Sequence, residues 1–127
     1  MSKRILLLLV TLLPLSALQA QVVVQVVTKK IDRSFSYRDG YQVNLEGDNA
    51  EVWVESWDKN EIRIQLELIA KHPERSVAET DLEKLKYLAE RVKNNIYVRN
   101  YIKTEAGEDK PQSNLSARYT ITLPENC

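Results

Sequence analysis

The sequence predicts a mainly β protein, in which an antiparallel, sandwich-like meander of strands carries one inserted amphipathic α-helix. Three observations predict this class. Apolar and polar residues alternate through residues 62–68 and 115–123, one stretch between them has helical spacing instead, and short polar turns separate the segments. Alternation with a period of two is typical of half-buried strands, whereas spacings of three and four are typical of a helix with one apolar face.

The clearest strand signal lies in the middle of the chain. Apolar residues that alternate with Arg63, Gln65 and Glu67 should share one face and point into the core: Ile62, Ile64, Leu66 and Leu68. Residues 50–57 precede this strand across Asp58-Lys59-Asn60, a short segment whose composition favours a turn. We therefore predict a β-hairpin over residues 50–70.

Further strands are expected on both sides of this hairpin. One covers residues 41–45 and reaches the hairpin through Gly47-Asp48-Asn49. Another covers residues 96–102, and a last one alternates cleanly from Leu115 to Leu123. The stretch 104–114, which contains Gly107, Pro111 and several charged residues, is expected to be an exposed loop. Together the strands predict an antiparallel meander.

One segment departs from the strand pattern and predicts a helix over residues 77–93. Its apolar residues recur at spacings of three and four: Ala78, Leu82, Leu85, Ala89 and Val92. Ser76 and Glu79 have the spacing of a capping box, and Asn94-Asn95 would end the helix. An isolated helix of this length is marginal in water, so we expect its apolar face to dock on the sheet.

The first twenty residues predict an export signal. Lys3 and Arg4 precede an apolar run, and small and polar residues then lead to a cleavage site between Ala20 and Gln21. A membrane anchor extending through Val22–Val27 is the alternative, but glutamines interrupt it and the apolar run has the length of a signal-peptide core. We expect an exported protein, periplasmic or on the cell surface, with no transmembrane segment after cleavage.

Residues 21–127 are long enough for a single β-rich domain and too short for two. The whole chain has 18 basic and 18 acidic residues, and removal of Lys3 and Arg4 leaves a slight acidic excess. This balance indicates neither nucleic acid nor an anionic membrane surface as a partner. Cys127 is the one cysteine and the last residue, which excludes an internal disulfide; it is either a terminal thiol or a sign of a shortened chain.

The residue types needed for catalysis do not form a recognisable motif. His72 is the one histidine, and no second metal ligand stands at a familiar spacing from it. There is no G-x-S-x-G elbow to present a serine and no glycine-rich loop to hold a phosphate. The sequence therefore predicts a noncatalytic protein, with no catalytic residues, no metal site and no cofactor.

The candidate binding residues are aromatic. Trp53 and Trp57 share one face of their strand, and Tyr97 and Tyr101 share one face of theirs. If exposed together, these side chains could stack on a sugar or anchor a protein partner. The alternative, which we favour from sequence, is that they are buried beneath a second layer supplied by Val22–Val27; Trp53→Ala would then cost about 3–5 kcal/mol of stability.

Three segments together resemble a known family: AEVWVESWDKNEIRIQLEL, then AETDLEKLKYLAERVKNNIYVRNY, and finally SARYTITLP. They are similar to the auto-transporter adhesin head-like domains of the bacterial cell envelope, over most of residues 30–124. The family has no assigned activity. The resemblance implies that residues 119–124 lead into a β-solenoid, of which this chain would be the N-terminal part.

The chain stops where that solenoid would continue, which leaves two interpretations: a shortened member of the family, or a fragment, which we favour because a bare terminal strand is prone to aggregation. The expected function is a noncatalytic, exported structural or adhesin-like module of the envelope. The alternative is a small periplasmic domain that binds a glycan or an envelope protein through its aromatic face. The sequence specifies neither the ligand nor the oligomeric state.

Overall fold

The computed structural model describes residues 23–127, which form two β-sheets and one short helix. The four-stranded sheet contains, in spatial order, β1 (Gln25–Ser36), β4 (Glu61–His72), β7 (Asn114–Pro124) and β3 (Ala50–Trp57). The three-stranded sheet contains β2 (Gln42–Glu46), β6 (Asn95–Ile102) and β5 (Leu85–Val92). Helix α1 (Arg75–Leu82) connects β4 to β5. The predicted mainly β class is confirmed.

The predicted signal and its cleavage site, Ala20 and Gln21, lie outside the described residues. Within residues 23–127, no helix has the length and apolar character needed to cross a membrane. The single helix in this part of the chain has eight residues.

The core lies between the two sheets. The side chains that the sequence assigned to the core on β4 are buried, and alternate residues of β7 continue the same face because β4 and β7 pair in an antiparallel register. Ile96 and Val98 of β6 close the core from the three-stranded sheet. The buried apolar side chains of the two central strands are Ile62, Ile64, Leu66, Leu68, Leu115, Ala117, Tyr119 and Ile121.

A buried hydrogen-bond network joins the two sheets. The Tyr119 hydroxyl on β7 donates to Oδ1 of Asn100 on β6 at 2.8 Å. The same Oδ1 accepts from the Asp48 backbone N–H at 3.0 Å, and Asn100 Nδ2 donates to the Asp48 carbonyl at 2.9 Å. Asn100 therefore fastens the corner between β2 and β3 to the middle of the sandwich.

The corner between β2 and β3, residues 47–49, requires a small residue at one position and a left-handed backbone conformation at another. A Cβ on Gly47 would lie 2.9 Å from the Ala50 Cβ, closer than side chains pack. Asn49 adopts a positive φ of 48°, which asparagine tolerates better than most residues. Its side-chain amide donates to the Leu115 carbonyl, and its own carbonyl accepts from Ala117 N–H. These contacts hold the corner in place where the chain passes from the three-stranded to the four-stranded sheet.

The predicted β-hairpin over residues 50–70 is wrong, although both of its strands exist. β7 lies between them, so that β3 pairs with β7 in parallel and β4 pairs with β7 in antiparallel fashion. β2 likewise pairs in parallel with β6. The sheets are mixed, and the antiparallel meander is therefore also wrong. The physical reason is that one face of β7 is an unbroken row of apolar side chains. This row is buried most completely when β7 has a neighbouring strand on each side.

The predicted helix over residues 77–93 is correct only over residues 77–82. α1 ends at Leu82, and β5 then forms an antiparallel hairpin with β6 across Lys93, whose φ is 54°. Leu85 and Ala89 fit both periods, because a spacing of four is also twice two, whereas Val92, three residues further on, is exposed on the other face of β5. The capping box is absent: the residue before the helix is Glu74, without a side-chain cap, and Glu79 pairs with Arg75 instead.

The expected second layer from Val22–Val27 is also absent from the described residues. β1 begins at Gln25 and forms the edge of the four-stranded sheet beside β4, while Val23, Val24 and Val26 remain exposed. No solenoid is formed by residues 23–127, in which the two sheets stay open at their edges.

Asp81 anchors the loop over residues 103–113 to the end of α1. Its buried carboxylate accepts hydrogen bonds from the backbone N–H groups of Gln112 and Ser113, at 3.0 and 2.7 Å, and lies 3.5 Å from the Lys84 ammonium. Burial by itself raises the pKa of Asp81, but the hydrogen bonds from Ser113 and Gln112 and the charge of Lys84 outweigh it, so the pKa is lowered.

We expect Asn100→Ala to lower the free energy of unfolding by about 3 kcal/mol, because it leaves buried polar groups of Tyr119 and Asp48 without partners. Tyr119→Phe should cost only about 1 kcal/mol, since Asp48 still satisfies Asn100. Urea unfolding measures both. Asn44→Ala is the matched control, because Asn44 makes only an exposed bond to Asn95; a loss equal to that of Asn100→Ala would contradict the network's role.

We expect the stabilising effect of Asp81 to depend on pH. Because its pKa is lower in the folded protein than in the unfolded chain, the effect is complete above the ordinary value of 3.8 and is lost as the pH falls through the folded pKa. At neutral pH, Asp81→Ala should therefore cost about 1.5–3 kcal/mol, and this difference should shrink in acid. Urea unfolding of both proteins across pH 7 to 3 checks it; a constant difference would contradict the assignment.

Candidate functional site

β3 is the most exposed strand of the protein that the structure describes. It is the last strand of the four-stranded sheet, and no other strand in residues 23–127 pairs with its outer edge. Val52 is 44% exposed, Trp53 61% and Val54 64%, so apolar side chains face solvent on both sides of the strand. Its middle, residues 52–54, has none of the charges and prolines that usually discourage pairing, although Glu51 and Glu55 stand on either side. It is therefore a candidate for binding another chain.

Trp53 lies on the outer face of the four-stranded sheet, which faces away from the core. Its neighbour on β7 is Thr120, between the buried Tyr119 and Ile121. The interpretation that Trp53 belongs to a buried layer is wrong, because nothing in the described residues covers this face. The outer face is instead polar, with charged and hydroxyl side chains on all four strands.

Trp57 lies on the same strand as Trp53, but its side chain makes contacts within the protein. Its indole Nε1 donates to the Glu61 carbonyl at 2.7 Å, and the Lys59 ammonium lies 4.9 Å from the centre of its ring. These contacts hold the link between β3 and β4. Trp57 is half-buried, so less of its ring is available to a ligand.

The two tyrosines lie on the other side of the sandwich. Tyr97 and Tyr101 are on β6, and their side chains are on the outer face of the three-stranded sheet, where Tyr97 is 41% exposed. The Arg99 guanidinium lies 4.7 Å from the centre of the Tyr101 ring. The four sequence-predicted residues therefore do not form one aromatic surface. They lie as two separate pairs on opposite outer faces of the sandwich.

A row of alternating charges crosses the outer face of the four-stranded sheet. Lys30, Glu67, Arg118 and Glu51 stand next to one another on β1, β4, β7 and β3. The successive ion pairs measure 3.9 Å, 3.9 Å and 3.5 Å. The row borders a shallow depression of about 300 Å³ that is also lined by Asp32, Gln65 and Thr120.

This row could not be found from sequence, because its members come from four separate strands and only the pairing register aligns them. Asp32 also contributes to the face: the Arg63 guanidinium donates to both of its carboxylate oxygens, at 3.2 and 2.7 Å, and holds the pKa of Asp32 below its ordinary value. Exposed pairs of this kind contribute little to stability, and they define instead the charge pattern that a partner meets.

The groups considered for catalysis have ordinary structural environments. His72 ends β4, and its Nδ1 accepts a hydrogen bond from the Glu74 backbone N–H at 3.0 Å. Cys127 is exposed and unpaired. In the part of the chain described, no three histidine, cysteine or carboxylate side chains are grouped closely enough to hold a metal ion.

Comparison of the chain with models of protein families, with curated proteins and with solved structures yields no match. The resemblance to adhesin head-like domains consequently stays a prediction from the residue patterns.

We expect Trp53→Ala to change the free energy of unfolding by less than about 1 kcal/mol, because most of the side chain is already in water. Trp57→Ala should cost more, about 1–3 kcal/mol, because it leaves the Glu61 carbonyl without its indole donor and removes half-buried packing. Urea unfolding compares the two variants. A larger loss for Trp53→Ala than for Trp57→Ala would show that Trp53 is packed.

Proposed function

We propose that this protein is a noncatalytic, exported, adhesin-like module of the bacterial envelope, and that it acts by binding another protein along the edge of β3. The single observation that carries the proposal is the exposure of Val52, Trp53 and Val54 on an edge strand with no neighbour among the described residues. Export is proposed from the signal-like first twenty residues.

An edge strand offers two kinds of contact to a partner. Its unpaired backbone groups can form a ladder with an added strand, which supplies affinity. Its side chains then select the partner, because they alternate between the two faces of the sheet. On β3, Glu51, Trp53 and Glu55 occupy the outer face, whereas Val52 and Val54 occupy the inner one. A complementary strand therefore places an apolar side chain beside Val52 and a basic one beside Glu51.

Binding of a glycan by the aromatic residues has less support. Sugar-binding surfaces stack rings on neighbouring aromatic side chains, but Trp53 and Tyr97 face opposite sides of the sandwich. The ring of Trp57 is partly occupied by Lys59. A protein partner uses the backbone edge and the valines as well as the indole, so it accounts for more of the exposed surface.

We expect a photocrosslinking amino acid in place of Trp53 to form protein adducts in a Gram-negative host that exports the full chain. The matched control places the same crosslinker at Tyr97, which is exposed on the opposite face. Adducts at position 53 that are absent at position 97 support the proposal, since β3 would then lie against a protein. Equal labelling at both positions, or no protein adduct at position 53, would contradict it.

The same cells test export separately. The proposal expects the purified protein to have the mass of a chain that begins at Gln21 and to be released with the periplasm or retained at the surface. A chain that keeps its first twenty residues and stays in the cytoplasm would refute export, whatever the crosslinking shows.

A further inference from the structure

The two ends of the sandwich carry opposite charge. One end is formed by β2 and β3, which a three-residue corner joins; these strands contain three acidic and no basic residues. The other end is formed by β1 and β5, where the Arg33 guanidinium donates to the Tyr87 hydroxyl at 3.0 Å. These two strands contain five basic and two acidic residues. Each domain is therefore acidic at one open edge and basic at the other.

The charge row ends at these same edges. It begins with Lys30 on β1 and finishes with Glu51 on β3, with opposite charges alternating between them. Lys30 is the more exposed member of its pair, with 80% of its side chain accessible. If the sheet continued past β3 with another β1, the next residue in the row would be lysine, and the alternation would be kept.

The inner face continues in the same register. Ile31, Leu66 and Tyr119 are buried side by side, and the next residue in this row is Val52, which remains 44% exposed at the edge. A further β1 placed with Lys30 beside Glu51 would bring its Ile31 beside Val52. At these two adjacent positions the apolar row and the charge row are compatible with the same alignment.

Strand direction is compatible with this arrangement. β1 is antiparallel to β4, β4 is antiparallel to β7, and β3 is parallel to β7. β1 and β3 thus run in the same direction at the two sides of one sheet. A second copy in the same orientation presents its β1 to β3 as a parallel neighbour, and the pairing can repeat without reversing the sheet.

We propose that β3 of one copy pairs with β1 of a second copy, so that the four-stranded sheets join head to tail with Lys30 of one beside Glu51 of the other. The inference rests on the proposed function, because it names the partner of the same edge. Pairing of two β3 strands is disfavoured, since both carry Glu51 and Glu55 and like charges across strands repel. A head-to-tail interface leaves one edge open at each end and produces a series of oligomers.

The test is charge exchange across the interface. Residues 21–127 are purified as wild type, Lys30→Glu, Glu51→Lys and the double variant, and sedimentation velocity follows each from about 1 µM to about 1 mM, the range of weak interfaces. We expect wild type to form a concentration-dependent series of oligomers. Each single variant should associate about tenfold more weakly, because like charges then face each other.

The double variant restores opposite charges at the interface, so it should associate as wild type does. An equimolar mixture of the two single variants should also recover association. The matched control reverses an exposed pair outside both edges, Lys103→Glu with Glu105→Lys, and should behave as wild type. Circular dichroism and thermal unfolding establish that each variant is folded.

Three results would overturn the inference: a monomer at every concentration, a closed dimer with no larger species, or a double variant as weak as the single ones. These results do not by themselves decide whether β3 binds another envelope protein. A monomeric protein whose position 53 still crosslinks to a different envelope protein would refute self-association and leave binding by β3 intact. Adducts with the mass of two copies would support both.

Discussion

The arrangement of this protein depends on one buried asparagine. Asn100 accepts hydrogen bonds from the Tyr119 hydroxyl and the Asp48 backbone, and donates one back to the Asp48 carbonyl. It thereby joins β6, β7 and the corner before β3 in a single network. Because buried polar groups are costly when unpaired, this network favours the observed position of the corner before β3.

The exposure of β3 follows from the unequal width of the two sheets. The sheet of three strands covers the core as far as β7, where Tyr119 is fully buried, but leaves the valines of β3 accessible. β1 at the other side is also an edge, yet it carries lysines and an arginine of the kind that discourage unwanted pairing. The two edges are thus chemically different. This difference favours contact between β3 of one copy and β1 of another over contact between two identical edges.

The charge row connects the fold to the proposed function. Its ion pairs are long and exposed, and such pairs contribute little to stability. Charges arranged in this way act mainly on the choice, orientation and rate of binding of a partner. An envelope module that binds by its edge requires such selection, because an unguarded apolar strand otherwise pairs with many chains. Glu51 and Glu55 on β3 supply the repulsion that excludes another β3.

The sequence by itself determined the mainly β class, the strands over residues 62–68 and 115–123 with their buried faces, and the loop that follows residue 102, because period-two alternation is a local property. It could not determine which strands are neighbours, since β3 and β4 are adjacent in sequence and yet separated by β7. It also predicted a helix over residues 85–92, where the apolar spacing is helical, because the pairing with β6 that selects the strand is not visible in the sequence. The exposure of Trp53 and the charge row were likewise decided by the tertiary structure alone, because burial and register depend on residues that are distant in the chain.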